Sequence, residues 1–183
     1  MSVFTRASII RDLVSIGLAK SDAVLVHTSF RSIGPLIGGP QALVSALQEV
    51  VRRSGTIVMP TQSGDLTDPS GWVSPPVDES CWEEIRNDMI GYHPRFTPTR
   101  RMGIVPEVFR QQKGVVRSRH PSTSFAAWGK HARLVTRNHP FDFPLGRKSP
   151  LEKLYDLDAL ILLIGVGHDK STFLHLAEHR LEK

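Results

Sequence analysis

Apolar positions along the chain switch between a helical period and short unbroken runs. Over residues 5–17, Ile9, Ile10, Leu13, Val14 and Ile16 recur at helical spacing, and Gly17 supplies a stop. An unbroken run, Ala23-Val24-Leu25-Val26, predicts a strand over 23–27. A glycine-rich turn and a second helical stripe follow, from about Gln41 to Arg53, with Leu43, Val44 and Leu47 on one face. Thr56-Ile57-Val58-Met59 reads as another buried strand, closed by Pro60. A helix that crosses between two strands favours their parallel pairing.

The pattern breaks down over residues 61–101. This stretch is rich in proline, holds Trp72 and Trp82, and predicts one helix, around Cys81 to Asn87. So long a segment inside a domain is characteristic of a lid or a binding loop. Cys81 lies beside Trp82 with no histidine next to it, which predicts a packing role rather than a nucleophile. Beyond it, Pro106 is placed to open a helix, 124–128 reads as a strand and Lys130 to Arg137 as a short helix. Ser149-Pro150-Leu151-Glu152 spells a capping box at a further helix start. Ala159 to Ile164 is a continuous apolar run and predicts a central strand covered on both faces. The last helix is expected from Ser171 or Thr172. The elements together predict a single α/β domain over 1–183, with a mostly parallel central sheet of strands 23–27, 56–60, 124–128 and 159–165, flanking helices, and a loop-rich insertion over 61–101 lining the site.

Composition narrows this picture. A single cysteine among 183 residues excludes an intrachain disulfide framework, and no apolar stretch approaches the length of a membrane span. With no signal-like start, a cytoplasmic location is expected. The formal charge is +5, and basic residues cluster at Arg95 to Arg119 and at Arg133 to Lys153. Such a field suits a polyanionic ligand.

Four places carry candidate chemistry. The stretch "HTSFRSIGPLIGG", residues 27–39, leaves a strand through hydroxyls and glycines into a helix start, where unpaired backbone N–H groups favour an anion. On the last helix His175, Glu178 and His179 share one face. His175-Leu176-Ala177-Glu178-His179 also spells H-x-x-E-H, an inverted zinc-protease pattern. A catalytic zinc needs three protein ligands and an open position, and only four residues follow His179, so no metal is expected. The remaining readings of that face are a surface trio and a histidine–carboxylate pair able to take a proton near neutral pH. His120, just before a strand, is a second acid–base candidate. No G-x-S-x-G, Walker or G-x-G-x-x-G motif is present.

Six collinear blocks, "VHTSFRSIGPLIGGPQALVSAL", "GTIVMPTQS", "PTRRMGIVPEVFR", "VVRSRHPSTSFAAWG", "GRKSPLEKLYDLDALILLIGVG" and "STFLHLAEHR", together resemble the antibiotic N-acetyltransferase family, the aminoglycoside 3-N-acetyltransferases and their relatives, from about residue 7 to 181. The resemblance implies acetyl transfer from acetyl-CoA to an amine. It implies that His27, Thr28, Ser29, Ile37, Gly38 and Gly39 lie along the cofactor, and that Ser149 belongs to a cofactor-side segment. It further implies that His175 activates the amine, that Glu178 meets a cationic substrate, and that His120 belongs to the site in an unassigned role. The implied partners are coenzyme A and a small amine, with no nucleic acid, no membrane and no metal. Family members continue past the "LHxAE" helix, where further sheet, substrate wall and an acidic partner for the histidine are expected. Many members read Phe-Asp-Pro where this chain has Tyr92-His93-Pro94, a change that removes a carboxylate facing a polycation. A non-catalytic coenzyme A-binding protein and a zinc hydrolase are the alternative functions.

Overall fold

A computed structural model describes residues 3–181. In chain order the elements are α1 (Arg6–Ser15), β1 (Ala23–Thr28), α2 (Phe30–Ile33), α3 (Gly39–Val51), β2 (Thr56–Pro60), α4 (Trp82–Asp88), α5 (Ile104–Arg110), β3 (Val116–Arg117), β4 (Phe125–Gly129), α6 (Ala132–Thr136), α7 (Pro150–Asp156), β5 (Leu160–Ile164) and α8 (Leu174–Leu181). Local signals set several boundaries. Thr5 and Ser8 form a reciprocal capping box at the start of α1. Gly17, at φ +96°, ends the helix region by letting its own N–H reach Val14 O and that of Leu18 reach Leu13 O.

The five strands are ordered β3-β4-β2-β1-β5. β1 pairs in parallel with β2 through the α3 crossover, and with β5 on its other side. β4 is antiparallel to β2 and to β3. Four strands therefore point one way and β4 the other. The expected α/β class and mostly parallel sheet hold, with the reversal confined to β4.

Alternate side chains of the strands feed two cores. Val24, Val26, Ile57, Met59, Ala126 and Trp128 pack on one face against α1, α3 and α5. Leu25, Val58, Phe125 and Ala127 pack on the other with Leu151 and Leu154 of α7 and Leu176 of α8. Full burial of side chains such as Leu25 and Ile57 is worth on the order of 2 kcal/mol each.

Four expectations need correction. β5 is an edge strand among the described residues, with Leu160 47 % and Ile161 42 % exposed. Its apolar run matches a covered strand, but none of the described residues pairs with its outer side. Cys81 is exposed, because Trp82 beside it does the packing and donates from Nε1 to Val77 O. Pro106 is the third residue of α5 rather than its first, and α8 begins at Leu174, after a short 3₁₀ turn at 168–170.

Candidate active site

In a sheet with parallel strands, crossover connections leave a crevice beyond the carboxyl ends of the strands. β1 ends there at His27-Thr28, and β5 ends beside it at Ile164. A cleft of about 450 Å³ opens at this point between the ends of the two strands, Arg101 and Met102, and the segment leading to α8. His27, Thr28 and Ser29 line it, as the sequence predicts. Gly165, Val166 and Gly167, which follow β5, form the facing wall. Gly165 adopts φ +68°, and a Cβ there would stand 2.9 Å from both Ser29 O and Ser32 Cβ. Only glycine lets the two strand ends approach this closely.

The cleft walls are hydroxyl-rich and cationic. Lys170 and Arg101 line the cleft, and the one lining carboxylate, Asp169, is already paired with Lys170 at 3.0 Å. Arg101 holds a left-handed backbone, φ +58°, and its guanidinium donates to Ser74 O of the 61–101 segment. Arg101 and Met102 also line a second chamber of about 480 Å³ built by that segment, with Trp72 and Pro75 in its wall. The long loop thus borders the cleft. Its lining carboxylate, Asp65, is paired with Arg100 at 3.1 Å.

His27 is buried, and desolvation pulls its imidazole down to about pKa 4, so the ring is neutral near pH 7. Its Nε2 lies 3.5 Å from Thr172 Oγ1, the cleft residue just before α8. The backbone N–H of His175 donates to Thr172 O at 3.2 Å, so the cleft wall runs directly into the first turn of α8. His175 Nδ1 then meets Glu178 Oε2 at 2.7 Å, both side chains half exposed or more. With Nδ1–H donating to the carboxylate, Nε2 keeps the lone pair a general base needs. His175 is not itself a lining residue of the cleft. His179 lies edge-on to Phe143, with ring centroids 5.8 Å apart.

Three other predicted positions lie apart from this cleft. Ile37, Gly38 and Gly39 form the entry to α3, with Ile37 exposed and Gly38 a left-handed cap. They do not line the cleft. Ser149 is fully buried, and its hydroxyl accepts from Leu151 N and Glu152 N. That bonding makes it the cap of α7, and it does not line the cleft. Glu152 accepts from Lys148 N at 2.6 Å, one residue beyond the cap N–H that the expected box would use. His120 is buried too. Its Nδ1 accepts from Thr123 N at 3.0 Å and faces Thr123 Oγ1 at 2.9 Å, while Nε2 approaches Phe141 O at 3.4 Å. Both nitrogens are thereby engaged, and the ring joins the 120–123 turn to the loop at Phe141, outside the cleft.

Sequence reasoning missed Arg101, Lys170, Thr172 and the Gly165-Val166-Gly167 wall. The glycine pair straight after an apolar run was the available signal for the last of these. Arg101 and Lys170 come from turns whose approach only the tertiary fold decides.

The fold and cleft define an α/β protein with a hydroxyl-lined cleft, bordered by Arg101 and Lys170, at the carboxyl ends of β1 and β5. The family model described as aminoglycoside 3-N-acetyltransferase matches residues 25–183, and the chain belongs to that family. It is 49 % identical over 178 residues to the SPbeta prophage-derived aminoglycoside N(3')-acetyltransferase-like protein YokD of Bacillus subtilis (strain 168), covering 97 % of this chain and 65 % of that protein. It is 38 % identical to aminoglycoside N(3)-acetyltransferase VIII of Streptomyces fradiae, covering 97 % of this chain and 62 % of that one. The chain therefore spans less than two thirds of the length of these relatives. Among solved structures, crystalline YokD superposes with a TM-score of 0.97 at 47 % identity, over 100 % of this chain and 68 % of that one. AAC-IIIb in binary complex with CoASH gives 0.84 at 34 % identity, over 97 % and 65 %. No helix among the described residues is long and apolar enough to cross a membrane.

Proposed function

We propose that the chain carries the cofactor half and the base of an acetyl-CoA-dependent N-acetyltransferase acting on the 3-amino group of an aminoglycoside-like substrate. The observation that carries this reading is the cleft at the ends of β1 and β5. Its wall of hydroxyls, glycines and two cations leads without a break into the turn that presents His175 and Glu178. A cleft with Arg101 and Lys170 suits an anionic cofactor, and one family member has been crystallised with CoASH, another with sisomicin. Ile37, Gly38 and Gly39, at the entry to α3, are assigned to the phosphate-bearing arm. A Gly38→Val variant that keeps its coenzyme A affinity by calorimetry would remove them from the site.

Acetyl-CoA supplies the activated acyl group as a thioester. An acceptor alkylammonium must lose a proton before it attacks. His175 Nε2 takes that proton, with Nδ1–H held by Glu178. The N–C bond then forms as the C–S bond breaks, and the second proton that the nitrogen sheds on becoming an amide goes to the leaving thiolate. His27 is neutral in the cleft and adds no charge of its own. The lone exposed Cys81 fits a reducing compartment, and we assign the protein to the cytoplasm.

The test is thiol release from acetyl-CoA in the presence of an aminoglycoside panel. Release that requires both components supports the transferase. Coenzyme A binding by calorimetry with no release for any amine, on this chain or on a longer form carrying it, would leave a binding protein instead.

A further inference from the structure

The two basic clusters of the sequence are far apart along the chain, yet they meet in space. Arg117 and Arg119 from the first, and Arg137 from the second, line one groove of about 920 Å³ together with Tyr92, His93 and His139. This groove shares no lining residue with the cleft at β1 and β5. No aspartate or glutamate lines it.

Arg117 gives the groove an unusual floor. Its guanidinium is mostly buried, and every contact it makes is to a neutral group: Thr61 O and Ser124 Oγ at 2.5 and 2.9 Å, the carbonyls of Pro94 and Thr97, and the ring face of Tyr92 at 5.1 Å. The nearby carboxylate, Glu107, is spent on Arg110. A buried cation without a counter-ion is expensive in a protein interior. Its own N–H groups are used up, so it acts on the groove through its field alone. The side chains of Arg119 and Arg137 are exposed and make no ion pair or hydrogen bond among the described residues. They are free to donate to whatever balances Arg117.

We infer that this groove is a binding site for a phosphate-type anion, held by Arg119 and Arg137 over the buried charge of Arg117. Exposed Phe141 and the Tyr92 ring edge the site and offer apolar surface beside the charge, which suits a phosphate ester better than bare phosphate. Two sources share that chemistry: the nucleotide end of coenzyme A and a separate phosphorylated molecule. The inference stands on the groove alone and does not require acetyl transfer.

The experiment titrates the full chain with adenosine 3',5'-bisphosphate and with inorganic pyrophosphate, read by calorimetry and by amide shifts of Tyr92, Asn138 and Phe141. Charge-assisted contacts are worth on the order of tenfold each or more. The Arg119→Ala/Arg137→Ala double variant should therefore weaken binding about 100-fold, and the corresponding double lysine variant should recover part of it. Both side chains are exposed, so neither variant should disturb the fold. Saturating the protein with coenzyme A decides the source. Exclusion of the bisphosphate by coenzyme A but not by its dephospho form assigns the groove to the cofactor's own phosphate. Simultaneous binding assigns it to a separate molecule. Absence of binding at millimolar probe, or binding that the double alanine variant leaves unchanged, overturns the proposal.

Discussion

His27 and His175 stand at the same end of the molecule, linked through Thr172, and almost nothing else about them is alike. His27 is buried at the end of a central strand, and its side-chain partner is the Thr172 hydroxyl. Desolvation holds it neutral to about pKa 4. His175 is half exposed on a helix turn, and its partner is a full carboxylate at 2.7 Å. A histidine that must accept and return protons needs contact with water or substrate and a partner that steadies its cation. His175 has both. His27 has the environment of a group that fixes geometry without changing charge. His139 repeats the His27 pattern in a second place, buried between Ser118 Oγ at 2.9 Å and Pro144 O at 2.7 Å and likewise held down to about pKa 4 by desolvation. The sequence offers His175 and His120 as acid–base candidates and places His27 along the cofactor; the structure buries His27 and His120 and leaves His175 exposed.

The largest expected effect tests that separation directly. General-base assistance is worth roughly 10²–10⁴-fold, so His175→Ala should lower kcat by about that factor while coenzyme A affinity stays nearly constant. His27→Gln keeps a neutral polar group of similar reach and should change kcat far less. Steady-state kinetics on both variants decides the matter. Equal losses would collapse the distinction between the two histidines.

The second effect is on stability and concerns the buried members. The pKa values of His27 and His139 are lowered on folding, so the unfolded chain binds more protons than the folded one between about pH 4 and 6.5. Stability is then full above the unfolded value near 6.5 and falls as pH drops through this window. Each histidine accounts for on the order of 2–3 kcal/mol by pH 4. Urea denaturation at pH 7 and at pH 4.5 should show the loss, and His139→Gln should flatten the pH profile even if its stability at pH 7 is lower. A profile unchanged by that variant would show that other groups carry the acid sensitivity.

Two apolar runs show the same limit of legibility in the fold. Ala23-Val24-Leu25-Val26 and Leu160-Ile161-Leu162-Leu163-Ile164 read alike, yet β1 is central with Val24, Leu25 and Val26 fully buried, while β5 lies at the edge with its first two residues over two fifths exposed. Hydropathy reports what a strand prefers to meet and not which neighbours reach it. Ser149 was legible as a cap because the signal lies within four residues. Its distance from the cleft was not, because the packing of α7 is a property of the whole fold. The His175–Glu178 pair was legible for the same reason as the cap: helical spacing of three brings the two together wherever the helix sits.

The smallest effect concerns that pair's charge. Both side chains are substantially exposed, and exposed ion pairs contribute about 0.2–1 kcal/mol. Glu178→Gln keeps a hydrogen-bond acceptor for His175 Nδ1 but removes the carboxylate that sets His175 apart from the buried histidines. Stability should therefore change by less than about 1 kcal/mol. If Glu178 attracts a cationic acceptor, it does so before and during the reaction alike, and its loss should raise acceptor KM several-fold with kcat close to unchanged. Raising the salt concentration should shrink the difference between wild type and variant, since screening weakens an exposed charge first. A fall in kcat with KM unchanged would instead mean that the carboxylate acts on His175 during proton transfer. The contrast between a charged and a neutral histidine partner would then be part of the catalytic step itself.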